Sequence, residues 1–246
     1  MKMDKKLFCS KLNSVFAQNG LSALLSAEKA ELFFKLTERL LVENEKYNLT
    51  AITDEDMIIL NHYADCATLA RRLPHGVKII DVGCGAGFPS LPVAILRDDV
   101  SIFAIDSTAK RVNYVSESAK ELGLSNVKAA VMRAEDGGRD PLFREKFDVA
   151  TARAVANMRV LAELCLPFVK VGGAMIAMKG KNAKFELAEA KKALAVLGGG
   201  EISIEDIELK SGTDEPVTHP LITVKKKSKT PAAYPRPYAQ ISKKPL

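Results

Sequence analysis

Residues 81–92 read Asp-Val-Gly-Cys-Gly-Ala-Gly-Phe-Pro-Ser-Leu-Pro and follow directly on the apolar run Val77–Ile80. Glycine occupies positions 83, 85 and 87, behind an aspartate at 81. An apolar run of strand length that breaks into alternating glycines is a strand running into a loop, where the main chain turns sharply or comes close to a ligand. The spacing Gly-x-Gly-x-Gly differs from the Gly-x-Gly-x-x-Gly of dinucleotide sites, and the lysine of a phosphate-gripping loop is missing. A tight turn without a ligand remains compatible with the glycines alone.

The flanking chain favours a ligand. Ser101–Asp106 is a second strand-like run ending on an acid, 19 residues beyond Gly87. A carboxylate at that place can accept hydrogen bonds from both hydroxyls of a ribose. Asp106 also suits the start of the helix that follows, and the two roles are compatible. Phe88 can pack on a ligand, and Asp81 suits a cationic ligand better than a phosphate. S-adenosylmethionine, with its ammonium and sulfonium, meets these conditions.

Strand and helix patterns alternate onward from the loop. Strand-like runs occur at 126–132, 147–152, 174–179, 201–209 and 221–227, with amphipathic helical stretches between most of them. This alternation predicts a mainly parallel sheet covered on both faces. The last two runs have no long helix between them and suit an antiparallel pair, with Leu221–Lys227 an edge strand. Residues 1–75 read as a helical cap. Within it, Leu32, Leu36, Leu40 and Leu41 form a helical stripe, and Thr53 with Asp56 resembles a capping box for a helix running toward Arg71. The expected organisation is a cap at 1–75, a catalytic domain at 76–228 and an irregular basic, proline-rich tail at 229–246.

Net charge is +6 over 246 residues, but seven Lys or Arg and no acid fall between Lys225 and Leu246. The positive excess therefore belongs to the C-terminal segment, which implies either a polyanionic partner or a solubilising tail. The four cysteines and three histidines are scattered without metal-ligand spacing, which suits a reducing cytoplasm and no metal. No apolar run reaches membrane-spanning length.

The end of the fourth strand, Thr151-Ala152-Arg153-Ala154, lacks the Asp/Asn-Pro-Pro-aromatic set that orients exocyclic amines. It also lacks the cysteine that activates pyrimidine C5; Cys165 reads as core. A ring nitrogen with a free lone pair needs neither. Glu135, in the loop after the third strand, is either a ligand contact or an ordinary loop acid. Arg153 is either a ligand contact or half of an ion pair, and His62 reads as an internal hydrogen-bonding group.

Asp-x-Gly-x-Gly-x-Gly with a strand-end acid resembles the cofactor motifs of class I methyltransferases. Tyr47-Asn48-Leu49-Thr50, His62-x-x-Asp65, the glycine loop, Asp106-Ser107 with Lys110-Arg111, Glu135, residues 147–156, Gly172-Gly173, Lys179-Gly180 and the ending at 230–246 together resemble one family nearly end to end. It is the bacterial small-subunit ribosomal RNA methyltransferase G family, also called glucose-inhibited division protein B. The resemblance implies a Rossmann-like fold and methyl transfer from S-adenosylmethionine to guanine N7 of 16S-type rRNA. It implies cofactor contacts at Gly83, Gly85, Phe88, Asp106, Ser107, Ala134, Glu135 and Arg153, and no catalytic base. RNA contacts are expected at Lys179, Lys225, Lys226, Lys227 and Arg236. Expected partners are the rRNA or the assembled small subunit, with the protein a monomer. Asn61, Cys66 and Thr218-His219 depart from the family pattern. A small-molecule methyltransferase and a non-catalytic RNA-binding module are the alternatives; a nicotinamide dehydrogenase fits the glycine spacing less well.

Overall fold

The computed structural model describes residues 3–210 and 216–246. The chain begins with α1 (Lys5–Gln18), whose N-cap Asp4 accepts from the backbone of Lys6 and Leu7. It continues with α2 (Ala27–Tyr47), capped by Ser26 and closed by Asn48 in the left-handed region. Next come α3 (Glu55–Ile58), a π-helical turn over Ile59–Ala64, and α4 (Asp65–Arg72). The cap of α3 is Asp54, which accepts from Met57 N, and not the expected Thr53.

The α/β part follows as β1 (Lys78–Val82), α5 (Ser90–Leu96), β2 (Ser101–Asp106), α6 (Ala109–Glu121), β3 (Val127–Val131), α7 (Ala134–Gly137) and β4 (Phe147–Arg153). It ends with α8 (Met158–Cys165), β5 (Val169–Met178), α9 (Ala183–Val196), β6 (Gly199–Leu209), β7 (Val217–Lys226) and α10 (Tyr238–Lys243). The sheet has the order β3-β2-β1-β4-β5-β7-β6. Strands β1 to β5 pair in parallel, while β7 is antiparallel to both β5 and β6. The expected fold class is borne out: a doubly wound, mainly parallel sheet with an antiparallel edge. The expectation that Leu221–Lys227 is the edge is not met, because β6 lies outside β7 and takes that place.

The cap shares one hydrophobic core with a face of the sheet. Phe8, Phe33, Leu36, Leu40, Tyr63 and Ile59 are fully buried together with Leu91 and Ala104. The Tyr63 ring packs at a tilt against Phe33, centroids 4.6 Å apart, and its hydroxyl meets Thr37 Oγ1 at 2.7 Å, so the buried polar atom is satisfied. Arg39 on α2 reaches Glu117, Glu121 and Ser118 on α6, and Lys29 donates to Leu96 O at 2.7 Å. The other face of the sheet packs on α8 and α9 through Met158, Cys165, Phe168, Ala190 and Leu194.

The C-terminal segment is not a loose tail. Proline removes amide donors but leaves carbonyl acceptors, and three body arginines supply the donors. Arg139 Nε donates to Pro235 O at 2.7 Å, Arg144 to Tyr234 O and Thr230 O, and Arg159 to Pro245 O and Leu246 O. Ile241 is fully buried against the α8 side of the core.

Candidate active site

A cavity of about 510 Å³ lies at the carboxyl ends of the parallel strands. This is where the strand order reverses and where open α/β sheets bind their ligands. Gly83, Gly85, Phe88, Asp106, Ser107, Ala134, Glu135 and Arg153, expected from the sequence, all line it.

The glycine loop is tied down by its own amides. Gly83 and Cys84 both donate to Ile105 O, at 2.8 and 2.9 Å, and Gly87 donates to Cys84 O at 2.8 Å. Gly85 N donates to Asp106 Oδ2 at 3.1 Å. These amides are thus turned toward β2 and not outward to a phosphate. The amides at the start of α5 are spent or missing too: Leu91 N donates to Gly87 O at 2.7 Å, Ser90 N turns to Asp81, and Pro89 and Pro92 have no amide hydrogen. A nucleoside without a pyrophosphate fits this loop; a dinucleotide does not.

The glycines do different work. A Cβ on Gly85, at φ +54°, would have no neighbour closer than 3.9 Å and would stand in the cavity. A Cβ on Gly87 would come within 2.6 Å of Leu91 Cδ1 and close to Val115, so the third glycine lets α5 and α6 pack.

Asp106 is 5% exposed. Its Oδ1 accepts from Thr108 N at 2.9 Å, and Arg111 stands 3.5 Å from Oδ2. Thr108 caps α6 by position, so Asp106 serves the turn before the helix while its carboxylate still lines the cavity. A carboxylate has about four acceptor positions, which leaves room for a diol.

Asp81 departs from expectation. It is fully buried beneath the loop, takes the hydroxyl of Ser90, and does not line the cavity. Burial pushes its pKa up to about 6. It ties α5 to β1 and does not face a ligand's cation.

Arg153, at the end of β4, is clamped from the cap. Its Nη1 donates to Asn61 O at 2.9 Å and stands 3.3 Å from Asp65 Oδ2; its Nη2 is 3.0 Å from His62 Nδ1. The π-helical turn supplies this set, because a wider turn re-aims its carbonyls and side chains. His62 stacks on Phe88 at 4.3 Å, and its Nε2 meets Thr50 Oγ1 at 3.1 Å. Burial, with the Arg153 charge second, lowers the His62 pKa to about 4. With Arg153 donating to Nδ1, the ring is neutral and donates from Nε2 to Thr50. Asp65 also faces His219 Nδ1 at 3.2 Å. Just beyond Arg153, Ala154 has φ +56°, a strained position on the cavity wall.

The RNA expectations fare unevenly. Lys226 is fully buried as a side chain and donates to Leu166 O, Leu197 O and Thr230 Oγ1, with burial lowering its pKa to about 8. Lys179 pairs with Glu186 at 2.6 Å and donates to Ala156 O, and little of it is exposed. Arg236 is spent on Glu163, a fully buried carboxylate, at 2.6 Å. In this structure each of the three neutralises or satisfies a group of its own chain. Lys225 and Lys227 are exposed. Lys225 pairs with Ala174, however, four rungs (roughly 13 Å) from Met178 at the cavity end of β5. The exposed cations near the cavity mouth are instead Arg111 and Arg133, and Lys110, which sits over the Tyr47 ring at 5.8 Å.

Leu49, Thr50, Val155 and Tyr238 also line the cavity and had not been singled out as ligand contacts. Leu49 and Thr50 fall in the quoted Tyr47–Thr50 motif, which offered a signal; Tyr238 lay in a segment read as irregular. Among the described residues no group of three His, Cys, Asp or Glu could hold a metal ion, and no helix is long and apolar enough to cross a membrane.

Solved structures with this architecture include methyltransferases. An S-adenosylmethionine-dependent O-methyltransferase from Thermotoga maritima superposes over 77% of this chain and 72% of its own, with TM-score 0.55 at 17% identity. A tRNA (m1A58) methyltransferase from Aquifex aeolicus superposes over 67% and 69%, with TM-score 0.52 at 16% identity. The fold is thus that of the class I methyltransferases. The family model for rRNA small subunit methyltransferase G matches residues 29–213. The protein of that name from Clostridium perfringens strain 13 is 48% identical over 216 residues, covering 87% of this chain and 89% of its own. Its counterpart in Lactobacillus delbrueckii subsp. bulgaricus is 44% identical over 226 residues, 90% and 93% of the two chains. The chain belongs to the rRNA small subunit methyltransferase G family.

Proposed function

We propose that this protein methylates N7 of a guanine in small-subunit ribosomal RNA, in the cytoplasm. The observation that carries the reading is the cavity wall. A loop with its amides turned inward and a strand-end Asp106 accept a nucleoside diol and refuse a pyrophosphate, in a chain of this family. Asp106 would hold the ribose, Ala134 and Glu135 would flank the adenine, and Gly83, Gly85 and Phe88 would line the remainder. When bound, S-adenosylmethionine supplies a methyl group on a sulfonium.

The protein's own groups leave little room for proton chemistry. His62 is neutral with both nitrogens engaged. Burial raises the thiols of Cys84 and Cys165 well above their ordinary range, so neither supplies a thiolate nucleophile. Guanine N7 has a free in-plane lone pair and no proton, so it needs neither a base nor a covalent adduct. Positioning is what remains: Arg153, clamped by Asn61, His62 and Asp65, shapes the floor where the base enters. Lys110 and Arg133 stand at the mouth to meet RNA phosphate, with Lys225 and Lys227 further away.

The test is incubation with labelled S-adenosylmethionine and unmodified small subunits or naked rRNA, followed by mapping of the modified base. Label at a guanine N7 supports the proposal. Label only on small molecules, or none, refutes it.

A further inference from the structure

We infer that Tyr238 is a cofactor-contacting residue that covers the adenine side of the cavity, delivered there by the folded C-terminal strap. The inference rests on the S-adenosylmethionine reading above.

Tyr238 lines the cavity together with Met132, Ala134 and Leu164, although it lies more than 70 residues further along the chain than any of them. Helix α10, which carries it, packs against α8, which carries Leu164. These apolar and aromatic side chains form part of the cavity wall, and the one flat aromatic portion of S-adenosylmethionine is its adenine. Asp106 takes the ribose, and Ala134 opens the loop beside it, so the adenine has this wall to rest on. Tyr238 is 44% exposed, a large ring among the residues that line the cavity. Elsewhere the strap is held firmly. Arg236, two residues earlier, grips buried Glu163 with its backbone amide and its guanidinium. Ile241, three residues later, is fully buried. Arg139 fixes Pro235 O at 2.7 Å. The ring is therefore half-exposed between two anchors, a pre-positioned stacking surface whose ordering cost is already met by the fold.

The protein contains no tryptophan, so Tyr238→Trp installs a single fluorophore at the wall. Three proteins are titrated with S-adenosylmethionine by calorimetry: wild type, Tyr238→Ala and Tyr238→Phe, each checked for an unchanged melting temperature. Tyr238→Ala should weaken binding by roughly 3- to 10-fold, the value of one aromatic contact, and Tyr238→Phe should restore it. Emission of Tyr238→Trp should change on cofactor addition, while Leu142→Trp, an exposed reporter, should stay constant. If wild type binds and Tyr238→Ala binds equally well with silent Trp emission, the inference is overturned while the cofactor reading stands. Tyr238→Ala with unchanged cofactor affinity but a raised KM for RNA also overturns it, by assigning the ring to RNA. If wild type itself binds no S-adenosylmethionine, both readings fall together.

Discussion

Arg153 and His62 face one another across 3.0 Å, and the contact sets which nitrogen of the imidazole accepts, while burial, with the Arg153 charge second, keeps the ring neutral. The guanidinium is always charged, so the His62 nitrogen facing it is the acceptor, and a second proton on the ring would meet a like charge in a buried place. Methyl transfer in a single turnover should therefore be nearly flat between roughly pH 6.5 and 8.5, with no bell of an acid and a base. His62→Gln should keep that flat profile, with the rate lowered by less than about tenfold, since an amide can still accept from Arg153 and donate to Thr50. Quenched-flow transfer at saturating RNA measures it. A steep limb near neutrality that His62→Gln removes would make the imidazole catalytic.

The same residue should appear in acid stability. The His62 pKa falls from 6.5 unfolded to about 4 folded. Between those values the unfolded chain binds the proton and the native one does not. Stability is unaffected above the unfolded value and falls as pH drops toward the folded one, by on the order of 2–3 kcal/mol. Asp81 acts oppositely: its pKa rises from 3.8 to about 6, so the native chain holds the extra proton and gains stability as pH falls through that window. Denaturant melts of His62→Gln from pH 7 to 4 should show a greater gain on acidification than wild type. Parallel curves for the two proteins would remove His62 from the acid response.

Two glycine substitutions should separate binding from folding. Gly85→Val places a branched side chain in the cavity and should lower cofactor affinity by at least about tenfold, with a stability loss near the 1–2 kcal/mol of left-handed strain. Gly87→Ala drives a methyl into Leu91 and should cost about 2–5 kcal/mol through strain and overpacking. Calorimetric titration and thermal melts read the two effects. The opposite assignment, a stable Gly87→Ala beside an unfolded Gly85→Val, would contradict this division.

Removing Arg236 leaves the Glu163 carboxylate buried and unpaired. Arg236→Ala should destabilise the protein by about 3–5 kcal/mol, and the added change Glu163→Gln should recover part of the loss. Chemical denaturation of the single and double variants decides it. An Arg236→Ala protein of wild-type stability would mean that the strap is not held by this pair.

RNA binding should follow exposure and not charge count. Lys110→Gln and Arg133→Gln should each flatten the salt dependence by about 0.7–0.9 in the log–log slope, if each meets one phosphate. Lys226→Met should lower stability while leaving the slope unchanged, since its ammonium is bound to Leu166, Leu197 and Thr230. Filter binding across salt concentrations gives the slopes. A flattened slope for Lys226→Met at full stability would return that lysine to the RNA surface.

The parts of the site that could be read from the chain are those carried by local spacing. Gly83, Gly85 and Asp106 stand at strand ends, and the strand pattern puts them on one rim. The eight expected contacts that line the cavity were legible for that reason, some with the help of the family resemblance. Lys226 and Arg236 were misread because a count of charges does not say which are spent internally; their partners Leu166, Leu197 and Glu163 lie dozens of residues away. Asp81 has the right neighbours in sequence but the wrong side of the loop, since a strand residue points to one face only and its face is the packed one. The π-helical turn left no sequence signal, and with it went the clamp on Arg153. Tyr238 was hidden because proline-rich composition suggests an irregular segment, whereas here body arginines answer its carbonyls.

The cavity takes one wall from Leu49 and another from Tyr238, so it spans most of the polypeptide's length. No short fragment contains it, and during synthesis it cannot exist until nearly all of that stretch has left the ribosome. Ligand affinity in this protein is consequently a gauge of completed folding: intermediates lacking the strap or the cap offer the cofactor an incomplete wall. Free S-adenosylmethionine at a hundred times its dissociation constant favours the finished chain by about 2.7 kcal/mol over a state that does not bind it, and by less over an intermediate with part of the wall in place. The small molecule that the enzyme consumes would also act as a chaperone for it.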